Sequence, residues 1–193
     1  MFNHLILTSM KDIIFQIQIV LRGSKPKIWR RVLIPSDMSL ADFHEVIQTS
    51  MGWENSHLHY FEKNNTFYTL KIEGDDFLDE NNKIDYRDLT VADLLTKKHD
   101  RITYEYDYGD RWEHDIFLED ITTVNPQIKY PVCIEGKMSC PPEDCGGING
   151  YHDILFILKN PQHKYYENYK DWLDERFDPE YFNIDEVNRR LHY

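Results

Sequence analysis

The 193-residue chain has no run of about 18 apolar residues, so a membrane-spanning helix is not expected. Cysteine is scarce: Cys133, Cys140 and Cys145 cannot all pair within one chain. Positive charge is also short. Lys and Arg number 22 against 34 Asp and Glu, for a net charge of −12. So acidic a surface repels phosphate, which argues against direct nucleic-acid binding and against adhesion to anionic membranes. The first ten residues lack a basic start and a small-residue cleavage site, so no signal peptide is expected. With unpaired thiols, that reading makes the protein reduced and cytoplasmic. No Gly-x-Ser-x-Gly elbow, His-Glu-x-x-His helix, Walker sequence or dinucleotide fingerprint is present, and no internal repeat.

Apolar residues make up 41% and aromatic residues 14%, enough for a packed core in one domain or a domain with a small appendage. Ile13, Phe15, Ile17, Ile19 and Leu21 alternate at period two, which predicts a strand over 12–22 with one apolar face. A turn at Gly23-Ser24-Lys25-Pro26 leads to a second strand, 28–34. Ser39 with Asp42 opens a helix over 39–51, striped by Leu40, Phe43, Ile47 and Met51 and closed by Gly52. Short strands follow at 57–61 and 66–70. The acidic stretch 73–88 reads as a loop, and Thr90 with Asp93 starts a helix over 90–97.

Residues 101–121 read as a hairpin around Gly109. A two-residue loop would mix charges and rings on both faces. An odd loop centred on Gly109 pairs Tyr106 with Trp112, Tyr104 with His114 and Ile102 with Ile116, and separates the faces cleanly. That choice places Gly109 in a left-handed conformation. The Pro-, Gly- and Cys-rich segment 130–147 reads as a structured loop, and residues 150–191 as helices, the last capped by Asn183 with Glu186. The sum is an α+β fold: a mixed, largely antiparallel sheet, packed helices and a C-terminal helical section. Residues 1–11 are an N-terminal extension and 12–193 a single domain, with 150–193 a candidate helical subdomain.

The segments GSKPKIWRRVLIP, FHEVIQTSMGWENSHLHYF, YEYDYGDRWEHDI, YPVCIEGKMSCPPEDCGGINGY and FDPEYFNIDEVNRRL together resemble the plasmid pRiA4b ORF-3-like family over about residues 12 to 191. The resemblance implies an α+β domain of unassigned activity, some of whose relatives are encoded near mobile elements. It carries over no catalytic residue and no cofactor.

Chemistry-bearing residues gather in a few places. His57 and His59, two apart on an expected strand, would share a face, and His114 lies on the apolar face of the later hairpin. With Asp107 and Asp110 at the hairpin's loop, they make a possible zinc, iron or manganese site. The competing reading is a core His114, hydrogen-bonded to a tyrosine or carboxylate, beside ordinary sheet histidines. Cys133, Cys140 and Cys145 have loose spacing for zinc and read better as small buried side chains, with a Cys140–Cys145 disulfide as the other option. Glu143 and Asp144 suit acid/base work, cation binding or the satisfaction of loop amides. Tyr106 and Trp112 complete a candidate pocket as part of a core or a pocket wall. Among Arg22, Lys25, Lys27, Arg30 and Arg31, local salt bridges are the economical reading, with Arg30 and Arg31 on opposite faces. The expected function is a binding or accessory protein with a protein or small-molecule partner, or a homo-oligomer. The alternatives are a metal-dependent hydrolase using the His/carboxylate cluster and an acidic mimic of nucleic acid.

Overall fold

A computed structural model describes residues 12–71, 82–173 and 177–193. The expected N-terminal extension, 1–11, lies outside the described residues, as does most of the acidic loop. The strands are β1 (Ile13–Leu21), β2 (Trp29–Pro35), β3 (His59–Lys63), β4 (Thr66–Thr69), β5 (Lys83–Asp85), β6 (Arg101–Tyr106), β7 (Trp112–Thr123) and β8 (Val132–Lys137). The helices are α1 (Leu40–Met51), α2 (Val91–Leu94), α3 (Gly147–Leu158), α4 (Tyr166–Trp172) and α5 (Ile184–Arg190). All eight strands join one sheet in the order β5-β4-β3-β6-β7-β1-β2-β8. Neighbours run antiparallel except β4 and β5, which are parallel. The chain is an α+β protein with a mixed sheet.

Period-two alternation explains β1, an interior strand between β7 and β2: Phe15, Ile17, Ile19 and Leu21 are all buried. The β6–β7 hairpin has the register that charge segregation demands, with Tyr106 opposite Trp112, Tyr104 opposite His114 and Ile102 opposite Ile116. Its inward face, from Ile102 through Leu118, is sealed from water. The left-handed residues, however, are Asp107 (φ 58°) and Arg111 (φ 56°), not Gly109. The five-residue loop closes by an Arg111 N–H bond to the Asp107 carbonyl at 2.7 Å, while Asp107 Oδ1 accepts the Gly109 N–H at 2.8 Å. An aspartate that bonds its own turn tolerates this backbone region, so the glycine does not need to supply it.

Helix α1 lies against the core through Leu40, Phe43, Ile47 and Met51. Ser39 Oγ accepts the Asp42 N–H at 3.0 Å, and Gly52, at φ 99°, ends the helix. Helix α2 is one turn, shorter than the expected 90–97. The Thr96 and Lys97 amides donate to the Asp100 carboxylate and so leave the helical path.

Two strands hide in segments that composition reads as loops. β5 lies within 73–88, and β8 within 130–147. β8 pairs with β2 at the sheet's edge, where Asn188 of α5 covers part of the exposed ladder. Its Oδ1 accepts the Cys133 N–H at 2.7 Å and its Nδ2 donates to the Cys133 carbonyl at 2.9 Å. Gly136 is needed here: a Cβ would sit 2.6 Å from the Phe182 ring. At the start of α5, Asn183 accepts from the Asp185 and Glu186 amides, but Glu186 bonds the Tyr181 hydroxyl rather than reaching back.

Replacing Ile17, wholly buried under this layer, by alanine is expected to lower the unfolding free energy by about 2–5 kcal/mol in urea titrations. A loss under about 1 kcal/mol would show that β1 is not a packed interior strand.

Candidate functional site

Three loops that are far apart in sequence meet at the turn end of the β6–β7 hairpin. They are the hairpin loop itself, residues 53–58 after α1, and the Cys-Pro loop 140–147. Tyr106 joins all three. Its ring is buried on the sheet, and its hydroxyl accepts the Ser56 N–H at 2.8 Å and donates to Glu143 Oε1 at 3.0 Å. That carboxylate oxygen also accepts the Glu54 N–H at 2.8 Å. Burial pushes the Tyr106 hydroxyl up to about 12, so it stays a donor at neutral pH. Trp53 Nε1 donates to the Pro141 carbonyl at 3.1 Å, and Asp110 Oδ2 accepts the Gly146 N–H at 3.1 Å. At Gly147 (φ 67°) a Cβ would lie 2.3 Å from the Asp110 carbonyl oxygen, so only glycine lets the two loops close.

On this frame His57 stands among three carboxylates. Its Nε2 is 3.5 Å from Asp144 Oδ1, 3.8 Å from Asp107 Oδ2 and 3.9 Å from Glu143 Oε2. The donor atoms of His57, Asp107 and Asp144 all lie within 4.8 Å of one another. A cleft of about 620 Å³ opens beside them, lined among others by Trp53, His57, Glu143, Asp144, Phe177 and Arg190.

Beneath the rim lies a sealed polar layer. The His44 and His59 rings stack with centroids 3.5 Å apart and 7° between planes. His44 Nε2 meets Asn55 Oδ1 at 2.7 Å, so that nitrogen carries the proton. Nδ1 then accepts from the Tyr104 hydroxyl at 2.8 Å, which in turn accepts from Gln48 Nε2 at 2.9 Å. His59 Nε2 lies 2.6 Å from the Tyr86 hydroxyl. Asn55, at φ 57°, is further held by Gln48 Oε1 on its N–H and by Glu45 Oε1 on its amide group. Side chains of α1 thus fix the loop that carries His57.

The structure therefore gathers His57, Tyr106, Asp107, Glu143 and Asp144 at the rim, with Asp110 clamping the loop behind them. It does not bring His59 or His114 there. His57 precedes β3 instead of sharing it, because the ladder with β6 begins at His59 opposite Tyr106. His59 joins the His44 stack. His114 is fully buried, and among the described residues neither of its ring nitrogens finds a hydrogen-bond partner, nor does Trp112 Nε1, so the expected bond to a tyrosine or carboxylate is not seen there. All three cysteines are free: Cys133 is buried on β8, and Cys140 and Cys145 are half-buried against the core. Burial raises all three thiols, Cys145 to about 12, so they stay protonated at neutral pH. Of the basic residues, Arg22 pairs with Glu113 and Asp115, and Arg31 with Glu119 and Glu135. Arg30 turns inward, donates to the Ser50, Trp29 and Lys137 carbonyls and lies over the Phe182 ring.

Sequence reading passed over His44, Gln48, Trp53 and Asn55. A usable signal was the i, i+4 spacing of His44 and Gln48 on the apolar stripe of α1, where polar residues need buried partners.

The fold and this rim define an α+β domain of a type found elsewhere. The sequence pattern of the plasmid pRiA4b ORF-3-like proteins matches residues 13–186, and the chain belongs to that family. It is 31% identical over 182 residues to an uncharacterized protein, y4hQ, of Sinorhizobium fredii (strain NBRC 101917 / NGR234), covering 92% of this chain and 90% of that one. The crystal structure of a protein of unknown function, MM3350, from Methanosarcina mazei Go1 superposes with a TM-score of 0.82 at 32% identity, covering 91% of this chain and 98% of that chain.

Burial lowers His59 and His114 to about 3 and lowers His44 as well, so all three fold as neutral rings. An unfolded histidine titrates near 6.5. As pH falls through 6.5 the unfolded chain takes up protons that the folded chain refuses. The stability that His59 and His114 contribute is complete above pH 6.5 and declines toward pH 3, by roughly 1.4 kcal/mol per pH unit for each, and His44 acts in the same direction. Urea titrations between pH 7.5 and 5 should show this slope, reduced by one proton's worth in His114→Leu; an unchanged slope in the variant would contradict it.

Proposed function

We propose that the protein is a binding domain that takes a small molecule in the cleft beside Trp53. The observation that carries this reading is the cleft's construction. Its volume, about 620 Å³, lies within the roughly 300–1,000 Å³ of ligand pockets. Its lining mixes apolar and aromatic side chains such as Trp53, Trp172, Phe177 and Phe182 with a comparable number of polar ones, among which His57, Glu143, Asp144 and Arg190 would orient a ligand. Loops 53–58 and 140–147 are tied in place before any ligand arrives, which lowers the ordering cost of binding. The family name points to a plasmid setting, and free thiols fit a reducing compartment, so an accessory role in the cytoplasm of a cell carrying mobile elements is part of the proposal. A metal-dependent hydrolase is the second reading, favoured by the carboxylates around His57. The acidic-mimic reading has less support, since Glu113, Asp115, Glu119 and Glu135 are spent on Arg22 and Arg31.

A small-molecule fragment screen followed by proton–nitrogen NMR tests the cleft. Hits are expected to shift the Trp53 indole and Ser56 amide signals before any on the β5 side of the sheet. A screen with no hits, or with shifts that cluster away from the cleft, would overturn the reading.

A further inference from the structure

We infer that His57, Asp107 and Asp144, with Glu143 beside them, form a binding site for one divalent first-row transition-metal ion. The inference names the chemistry of the rim, and it relies on the cleft reading only for what the ion would serve. The ion itself is measured without any cleft ligand, so either idea can fail alone.

The first argument is spacing. Direct hydrogen bonds between an imidazole and a carboxylate run near 2.7–2.9 Å. Ligands that share an ion at about 2.1 Å each sit roughly 3–3.5 Å apart. His57 Nε2 stands 3.5, 3.8 and 3.9 Å from its three carboxylate oxygens, too far for hydrogen bonds, and the donor atoms of His57, Asp107 and Asp144 lie within 4.8 Å of one another, a looser form of a coordination shell that an ion would draw in. Asp144, with its side chain 77% exposed, is free to supply that adjustment.

The second argument is the state of Asp107. The residue is 8% exposed, yet only Oδ1 has a hydrogen bond, to the Gly109 amide. Oδ2 takes none and faces His57. The side chain keeps 11% exposure, so this oxygen still touches solvent, but a carboxylate so largely withdrawn from water beside two others is costly unless something positive meets it. Among the described residues, the ion pairs of Asp107, Glu143 and Asp144 all run to His57, and no lysine or arginine joins them. A cation would cancel that crowding of negative charge. Glu143 keeps one oxygen on Tyr106 and Glu54 and turns Oε2 toward His57, which suits an outer partner that adds negative charge and orients the ligands. One imidazole with two carboxylates suits manganese, iron(II) or zinc, whereas magnesium and calcium take oxygen ligands alone.

The test is isothermal titration of chelator-treated, untagged protein with manganese(II) and with zinc(II) chloride. One ion per chain is expected, with magnesium at least 10-fold weaker. Asp107→Asn and His57→Ala should each weaken binding 10-fold or more, while Glu54→Gln, whose backbone alone joins the network, should bind as the parent does. Asparagine at 107 keeps the Oδ1 acceptor and is at ease at positive φ, so the loop survives the change. If either variant misfolds, substoichiometric manganese(II) added to the parent protein should broaden the NMR signals of residues 56–58, 107–108 and 143–145 first. No binding, binding unchanged in both variants, or broadening centred elsewhere would overturn the inference.

Discussion

Tyr106 is the residue on which the arrangement turns. Its ring belongs to the dry face of the sheet, and its hydroxyl is the point where the 53–58 loop and the Cys-Pro loop are tied to that face. A buried tyrosine must find partners for its hydroxyl, and here the partners are a backbone amide and a carboxylate from two separate loops. The position of the rim thus follows from the hairpin register. Slip β6 by one residue and Tyr106 would face the opposite side, leaving Ser56 and Glu143 without their common partner.

Beneath that tie the protein keeps an unusual amount of polarity dry. Two hydrogen-bonded groups, His44 with Tyr104, Gln48 and the exposed Asn55, and His59 with Tyr86, are joined by the His44–His59 stack, and each ring in them is neutral. Two imidazoles 3.5 Å apart cannot both carry charge in a low-dielectric layer, so the network has one consistent proton arrangement. Such a layer contributes less stability than an apolar one of equal volume, but it specifies where Asn55, and with it His57, must sit. The outer face works differently. There Arg22 and Arg31 gather Glu113, Asp115, Glu119 and Glu135 into exposed or half-exposed pairs, which add little to stability but hold apart charges that would otherwise repel.

Much of this was legible in the residues alone. Alternation in β1, the helix caps at Ser39 and Gly52, and the charge segregation of residues 101–121 depend on local rules, and the structure follows them. β8 was not legible because its six residues lie between Pro131 and a Cys-Pro-Pro turn and show no clean alternation. It is a strand because β2 offers an edge and Asn188 covers the other side. The three-loop rim was half legible. His57, Asp107, Glu143 and Asp144 stood out by type, but that His59 would turn inward while His57 stayed at the rim depends on where the β3–β6 ladder begins. That is a tertiary fact. The left-handed conformation at Asp107 rather than Gly109 was hidden for a similar reason, since it is set by an i, i+4 closure of the loop.

The most direct measurement of the central claim is hydrogen–deuterium exchange on Tyr106→Phe. The ring remains, so the β6 and β7 amides should keep their protection. The amides of Ser56 and of the 140–147 loop should exchange at least several-fold faster, consistent with losing hydrogen bonds worth about 1 kcal/mol each. Protection at Ser56 that is unchanged by the loss of the hydroxyl would contradict the account.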